Sequence, residues 1–521
     1  MSPRIHILLL ALILSMPGIA QNTEISPGTI FDGEPCLAVH PDDPRHLVVS
    51  WMGFELGEDI VIKTRASFDG GRTWSPETSM GHVNPAFGSA DPSLAFNSNG
   101  DLFLCYIDFS RDIDSGQVLV SRSIDGGLSF GPPVPVINMH DDPGKLAIDR
   151  PWMVIDRSGG PHDGTIYVTT MTAEGATPPY HGYFMRSTDT GATFSPWRYL
   201  DTVNARVGDI ITKPMPAPAT GPDGDFHALY PSYVPAQNVL PQYILASSSD
   251  GGASLDRLAA FTSMSGYSDP LPKKGHHLAV NPTDPNHLVF LNPGIAFDDP
   301  DVLIRESFDG GQTWTAPSRV NDDPVGNDRM QDLVWAAFDT DGDLVVTWRD
   351  RRRGTDSTYA TATEIYAAFR HRDSTSFGPN VALSDTLVDH ELILEEAGND
   401  FMGVVLRDDT LSAVWGDVRT GFPQIFFQRM ALPSQDVVGV RRLNIVPDWD
   451  LLPNPGDRFV QVMGRSITAI TVTAPGGEVV LDRAMTPSQR VQLDIGSWAT
   501  GTYAVQVTTA AGTSRRMLVK R

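Results

Sequence analysis

Two cysteines, Cys36 and Cys105, are all that 521 residues contain. That excludes a disulfide-built scaffold and a cysteine-built zinc or iron–sulfur centre. Positive charge is scarce as well: 39 Lys and Arg stand against 63 Asp and Glu, a net charge of −24. A chain this acidic is repelled by nucleic acid and by anionic membranes, so neither is expected as a partner through a general field. Beyond residue 20 no stretch reaches the roughly 18 consecutive apolar residues of a membrane-spanning helix, and no transmembrane anchor is expected. No phosphate loop and no metal-ligand spacing stands out, so no metal and no cofactor is expected.

Turn formers are plentiful, with 47 Gly and 41 Pro and no collagen-like period. They predict many short strands, hence an all-β chain. At the N-terminus Arg4 precedes an apolar run, Ile7–Met16, and then Pro17-Gly18-Ile19-Ala20. Small residues stand three before and one before a cut after Ala20, the pattern of a secretory signal peptide over 1–20. Export allows a Cys36–Cys105 disulfide; two separate buried thiols are the alternative, since nothing local sets their distance. From Arg441 onward the composition changes to ten Lys/Arg against six Asp/Glu. The shift divides the mature chain into a main domain, 21–435, and a C-terminal domain, 440–521. The latter reads as short strands at Phe459–Met463, Ile467–Thr473, Glu478–Leu481, Val491–Asp494, Thr502–Thr508 and Ser514–Val519, which predicts a small Ig-like β-sandwich.

The main domain repeats. Ser-x-Asp-x-Gly-x-Thr/Ser-aromatic occurs at Ser67–Trp74, Ser123–Phe130, Ser187–Phe194 and Ser307–Trp314, with a weaker copy at Ser248–Leu255 and a decayed one around Asp373. The aspartates Asp69, Asp125, Asp189, Asp250 and Asp309 recur with a period of about 60 residues. In such a turn Asp accepts backbone N–H groups and Gly takes positive φ. Upstream of each turn lie a strand beginning near Pro35, Pro92, Pro151, Pro214, His277, Gln331 or Phe401, a short turn, and two further strands. These are seven four-stranded units, the last without its own turn motif. A seven-bladed β-propeller is predicted, or a six-bladed one with an insertion, with a strand near Ile25–Phe31 completing the last sheet.

The turn motif resembles the Asp-box, or BNR repeat, of sialidase-like β-propellers. The C-terminal domain resembles the type A sorting domain of the type IX secretion system, on Leu452-Pro453-Asn454-Pro455, Pro475-Gly476-Gly477, Gly501-Thr502-Tyr503 and the terminal Met517–Arg521. The second resemblance implies transfer across an outer membrane by the type IX machinery and removal of that domain at the surface. The first implies a glycan ligand. The sialidase family's first arginine motif, however, is replaced here by Gly33-Glu34-Pro35-Cys36, a departure that counts against sialic acid hydrolysis.

In a propeller the starts of first strands and the ends of second strands share one face, opposite turns that join strands three and four. Those places carry Glu34, Asp91, Asp149-Arg150, Asp328-Arg329, Asp350, Arg352, Asp417 and Arg419, and the last four belong to a repeated Trp-x-Asp-x-Arg-x-Gly. They are the candidate glycan-binding residues, and their convergence on one mouth is the expectation; the same Asp–Arg pairs also suit ion pairs between neighbouring blades. Tyr366, two residues after Glu364, is a weaker nucleophile candidate on a third strand. Asp339-Thr340-Asp341-Gly342-Asp343 begins like a calcium loop but lacks the later Glu, and reads as a β-turn. A hydrolase or lyase acting on glycan, a non-catalytic adhesion propeller and a purely structural surface protein are the three functional expectations.

Overall fold

The computed structural model describes residues 21–521 except 29, 174, 202–207, 209, 264–274, 390–399, 433–448, 475–477 and 510–511. The expected signal peptide and the Pro475-Gly476-Gly477 turn therefore lie outside the described residues. The chain forms two compact units, residues 1–432 and 433–521. Among the described residues there is no helix, and so none that is long and apolar enough to cross a membrane.

In the first unit the described residues form seven four-stranded antiparallel sheets, each an up-and-down meander. Sheet 1 runs Asp32–Val39, Leu47–Glu55, Asp59–Ser67, Thr78–Ser79, and sheet 2 runs Phe87–Phe96, Leu102–Ser110, Gly116–Ser123, Val134–Asn138. Sheet 3 begins at Asp149–Ile155, sheet 4 at Ala217–Thr220, sheet 5 at His277–Asn281 and sheet 6 at Gln331–Phe338. Sheet 7 comprises Gly403–Arg407, Thr410–Asp417 and Gln424–Ala431, and its fourth strand is the N-terminal Thr23–Glu24. First strands contact one another in cyclic order, and the first strand of sheet 7 returns to that of sheet 1. This is a closed β-propeller. At the seam a Cβ on Gly403 would stand 2.6 Å from the Leu37 amide nitrogen, so only glycine lets the two strands approach so closely.

The closing strand lies slightly earlier than the sequence predicts, because Asp32 already belongs to sheet 1. Its segment is held by backbone and side chain alike. Thr23 and Glu24 pair with Phe427 and Phe426, Ile425 N–H donates to Ser26 Oγ (2.8 Å), and Asn22 exchanges hydrogen bonds with Asp385 and Leu383. Second strands are buried almost throughout, as in Leu47–Met52 and Leu102–Ile107. Trp51, Trp348 and Trp415 are fully buried between sheets. Both cysteines are free, and Cys36 Sγ accepts the Leu94 N–H at 3.3 Å.

The repeated turns join third to fourth strands. Asp309 Oδ1 accepts Thr313 N–H (2.8 Å) and Asp309 Oδ2 the Thr313 hydroxyl (2.6 Å). Ser307 Oγ donates to Asp309 Oδ1 and accepts the buried Gly311 N–H, both at 2.8 Å. Asp69, Asp125, Asp189 and Asp250 repeat the arrangement. Around Asp373 a different turn forms, closed by Ser374 N–H on His371 O. Asp339–Asp343 is a turn between the first two strands of sheet 6, with Gly342 at φ 97°.

The second unit is one five-stranded antiparallel sheet: Trp449–Leu452, Phe459–Thr473, Val479–Asp494, Gly501–Thr509 and Gly512–Lys520. Four of the short strands expected from the sequence are two long ones. The register shifts between Met463 and Ile467, where Ser466 has φ 56°, so the strand bends instead of ending. Both halves feed one core of Trp449, Val460, Val462, Ile470, Val491, Tyr503 and Val505.

Within the repeated turn the serine is expected to contribute more stability than the aspartate, because the donor it accepts is buried. Ser307→Ala leaves the buried Gly311 N–H without its acceptor and is expected to cost about 1–3 kcal/mol. The donors of Asp309 face water, so Asp309→Ala is expected to cost less. Urea denaturation of both variants checks the ranking; a costlier Asp309→Ala would contradict it.

Candidate functional site

Five of the seven first strands turn through a left-handed residue at their heads. Glu34, Asp91, Arg150, Met215 and Leu333 take φ of 53°, 56°, 48°, 44° and 55°. The register slips there in sheets 1, 2, 3 and 6. Four of these residues precede a proline, Pro35, Pro92, Pro151 or Pro216. Left-handed torsions cost a non-glycine residue about 1 kcal/mol or more, and a following proline disfavours helical torsions further. The surroundings therefore hold the bulges; Asp91 Oδ2, for example, accepts the Arg150 N–H at 3.0 Å.

The bulges gather Glu34, Asp91, Asp149 and Arg150 at one mouth of the central channel, where Asp400 joins them from the head of sheet 7. Arg150 Nη2 donates to Asp400 Oδ2 at 2.5 Å and Nη1 reaches Met215 Sδ at 3.2 Å. Its guanidinium lies 5.5 Å from the centre of the Phe401 ring. Below, Trp152, Trp335 and Phe401 meet edge-on or tilted, with ring centres 5.6–6.1 Å apart, and His277 lies 5.5 Å from Trp335. These rings form an aromatic floor over a cavity of about 330 Å³ along the axis.

Glu34 and Asp149 both lie beside Asp91. A neighbouring negative charge favours the protonated form of a carboxyl. Burial first, then the charges of Asp91 and Asp400, hold the Glu34 carboxyl well above the usual carboxylate range. Burial, followed by Asp91, pushes Asp149 up to about 7, against the pull of Arg150 and Lys213. The mouth thus holds protonated carboxyl beside the Arg150 guanidinium near neutral pH.

The remaining candidates stand elsewhere. Asp328 is exposed in the loop before sheet 6, and Arg329 there donates to the Asp356 carbonyl. The sheet 6 counterpart of Asp149 is Asp332: each stands one residue before the bulge, paired to Met171 and Arg349 respectively. The Asp328-Arg329 pair, which looks like Asp149-Arg150 in sequence, thus stands four residues ahead of the position that matches it in the fold. Asp332 is buried between Arg349 (2.5 Å) and Arg351 (3.1 Å), which hold its carboxyl far below the usual range despite burial.

Arg352 and Arg419 are ties between sheets. Arg352 binds Asp350 at 2.9 Å and, across the junction with sheet 5, Asp322 at 2.6 Å. Arg419 binds Asp417 at 2.5 Å and, across the junction with sheet 6, Asp385. Trp348 and Trp415 Nε1–H donate to Asp350 and Asp417, and the two guanidinium groups lie over Tyr366 and Phe426. The expected single mouth therefore divides into a central cluster and a set of junction pairs. Glu364 is tied to Arg353 at 2.7 Å, and burial raises the Tyr366 pKa, which is the opposite of nucleophile activation. Asp332 and the floor residues Trp152 and Trp335 were missed as site elements. The signal was present at two of the five bulges, where an acidic residue stands one before and a tryptophan two after Arg150 and Leu333.

Residues 450–521 match the family described as "Secretion system C-terminal sorting domain". That match indicates type IX secretion to the cell surface or the extracellular space. Solved structures similar to the chain include the Hadza microbial sialidase Hz136 (16% identity, 72% of this chain and 73% of that one, TM-score 0.43). The phage phi92 endosialidase is another (12%, 98% and 90%, TM-score 0.45). A third is the GH93 α-L-arabinofuranosidase of Fusarium graminearum (14%, 79% and 97%, TM-score 0.44). No curated protein matches the chain.

Folding raises the proton affinity of Asp149 above its unfolded value of 3.8. Its contribution to stability is thus fully present below that value and is lost as pH rises through about 7. His227 and His277, both held down to about 4 by burial, act in the other direction, gaining stability as pH rises. The difference between wild type and Asp149→Asn isolates the carboxyl. The variant should gain in melting temperature on the wild type as pH rises from about 4 to about 7. Parallel profiles would contradict the raised pKa.

Proposed function

We propose that the propeller acts on glycan at the cell surface or outside the cell, and that the channel mouth around Arg150 is where it does so. The observation that carries this reading is the cluster of Glu34, Asp91, Asp149 and Asp400 about one arginine, above an aromatic floor. Glycoside cleavage needs an acid to protonate the leaving oxygen and a carboxylate to activate water or attack the sugar. Asp149, near 7, has the proton affinity of the first, and Asp400, paired with Arg150, is placed to be the second. The Arg150 guanidinium is already engaged by Asp400, so the mouth suits neutral sugars better than sialic acids. The turns that carry the Asp-box pattern lie at the other end of the sheets, consistent with a purely structural role for Asp69, Asp125, Asp189, Asp250 and Asp309.

The test is release of reducing ends from a panel of neutral polysaccharides and sialosides. Cleavage of a neutral glycan is expected, with kcat reduced about 100-fold or more in Asp149→Asn while the variant melts no lower than the wild type. Retention of glycan with no cleavage by either protein would favour an adhesion propeller. Loss of neither binding nor cleavage in Arg150→Ala would remove the mouth from the mechanism.

A further inference from the structure

The seam between sheets 1 and 7 carries a cluster that the glycan reading does not use. Asp32 opens the first strand of sheet 1, and its N–H donates at 2.9 Å to the Pro423 carbonyl, just ahead of the third strand of sheet 7. Its side chain is fully buried and accepts Trp51 Nε1–H on Oδ1 at 2.8 Å. Lys63, on the third strand of sheet 1, is buried as well. Lys63 Nζ lies 3.8 Å from Asp32 Oδ1 and 3.3 Å from Glu77 Oε1, and it donates to the Phe54 carbonyl at 3.1 Å. The Asp32 and Lys63 side chains meet over Gly53, the strand partner of Asp32. A Cβ on Gly53 would fall on the Asp32 carboxyl and stand 3.0 Å from Lys63 Cδ, so only glycine leaves room for the meeting. Burial pushes the Asp32 carboxyl up to about 6, against the pull of Lys63 and the hydrogen bond from Trp51.

The layout repeats the ties at other junctions with one change. Arg352 stands between Asp350 and Asp322, and Arg319 between Asp301 (2.5 Å) and Asp323 (2.9 Å). A guanidinium keeps its proton in a protein and attacks nothing. An amine that gives up a proton is a nucleophile. At the seam the cation is a lysine, and among the described residues it is the only lysine within 4.0 Å of a carboxylate. We propose that the Lys63 amine and the Asp32 carboxyl condense to a side-chain amide, with Glu77 as the proton carrier. Glu77 takes one proton from the Lys63 ammonium and passes it to solvent, which its 25% exposed side chain reaches. The amine attacks Cγ of Asp32 in its protonated form. The C–N bond forms, a C–O bond breaks, and the hydroxyl leaves as water with a second proton from the nitrogen. The third proton stays on the amide, and no oxidant or further reactant is needed. Trp51 Nε1–H is placed to hold the negative charge that develops on Asp32 Oδ1. The fixed, buried approach of the two groups replaces a bimolecular encounter. The bond staples sheet 1 at the seam of the ring, in a propeller whose two cysteines are free.

Mass spectrometry of the purified full chain, intact and as peptides, tests this. The folded chain is expected to be lighter by one water than the sum of its residues. The segments that carry Asp32 and Lys63 should appear as one branched peptide. Glu77→Gln should lower the branched fraction about tenfold or more. Lys63→Arg, which installs the guanidinium of the other junctions, should show full mass and two separate peptides. Separate Asp32 and Lys63 peptides from the folded wild type, at full mass or with water lost elsewhere, would overturn the assignment. An unchanged branched fraction in Glu77→Gln would remove Glu77 from the step. The readout is a mass, so it stands or falls independently of glycan cleavage at the channel mouth.

Discussion

The bulge at the head of the first strands is the constraint from which the site follows. Without it, Glu34, Asp91 and Arg150 would continue the strand alternation and point into the sheets. Left-handed torsions at these three positions turn their side chains to the axis, and the prolines behind them fix the direction of the strand. Strain of this kind persists only where neighbours over-determine it. Here the neighbour is the next sheet: Asp91 holds the Arg150 amide, and Arg150 in turn holds Asp400 from the far side of the ring. Ring closure and site assembly are therefore coupled. The strand that closes the ring comes from the N-terminus, and the residue that completes the cluster precedes the sheet that this strand closes.

Charge is handled in two ways on the same face. At the junctions each arginine is matched to acids from its own sheet and its neighbour, as with Arg352 between Asp350 and Asp322. Such partly buried pairs add register more than net stability. At the axis the acids outnumber the cations, and the excess is absorbed by protons on Glu34 and Asp149. A buried acid that keeps its proton near neutrality is expensive as a structural element and useful as a proton donor. That contrast separates the central cluster from the junction pairs, although sequence alone places both at the same strand ends.

The repeated turns, the strand order of each sheet and the secretion-type C-terminal domain were all legible in the sequence. Their signals are local: Ser-x-Asp-x-Gly sets a turn by bonds spanning four residues, as Asp69 shows with Thr73. The central cluster was legible in part. Glu34, Asp91, Asp149 and Arg150 stand at strand starts marked by proline, whereas sheet 6 has Val334 in place of proline, and without that marker Asp328-Arg329 were aligned four residues too early. The division of the arginines into junction ties and an axial group depends on Asp322, Asp385 and Asp400, each distant in sequence from its partner.

The central claim is that a carboxylic acid keeps its proton near neutral pH at the channel mouth. Infrared difference titration of the folded full chain, comparing wild type with Asp149→Asn, measures it directly through the carbonyl stretch of protonated carboxyl groups. The account predicts one carboxyl band that disappears as pH rises through about 7 and is missing from the variant. Complete ionisation of every carboxyl below about pH 5 in the wild type would contradict it.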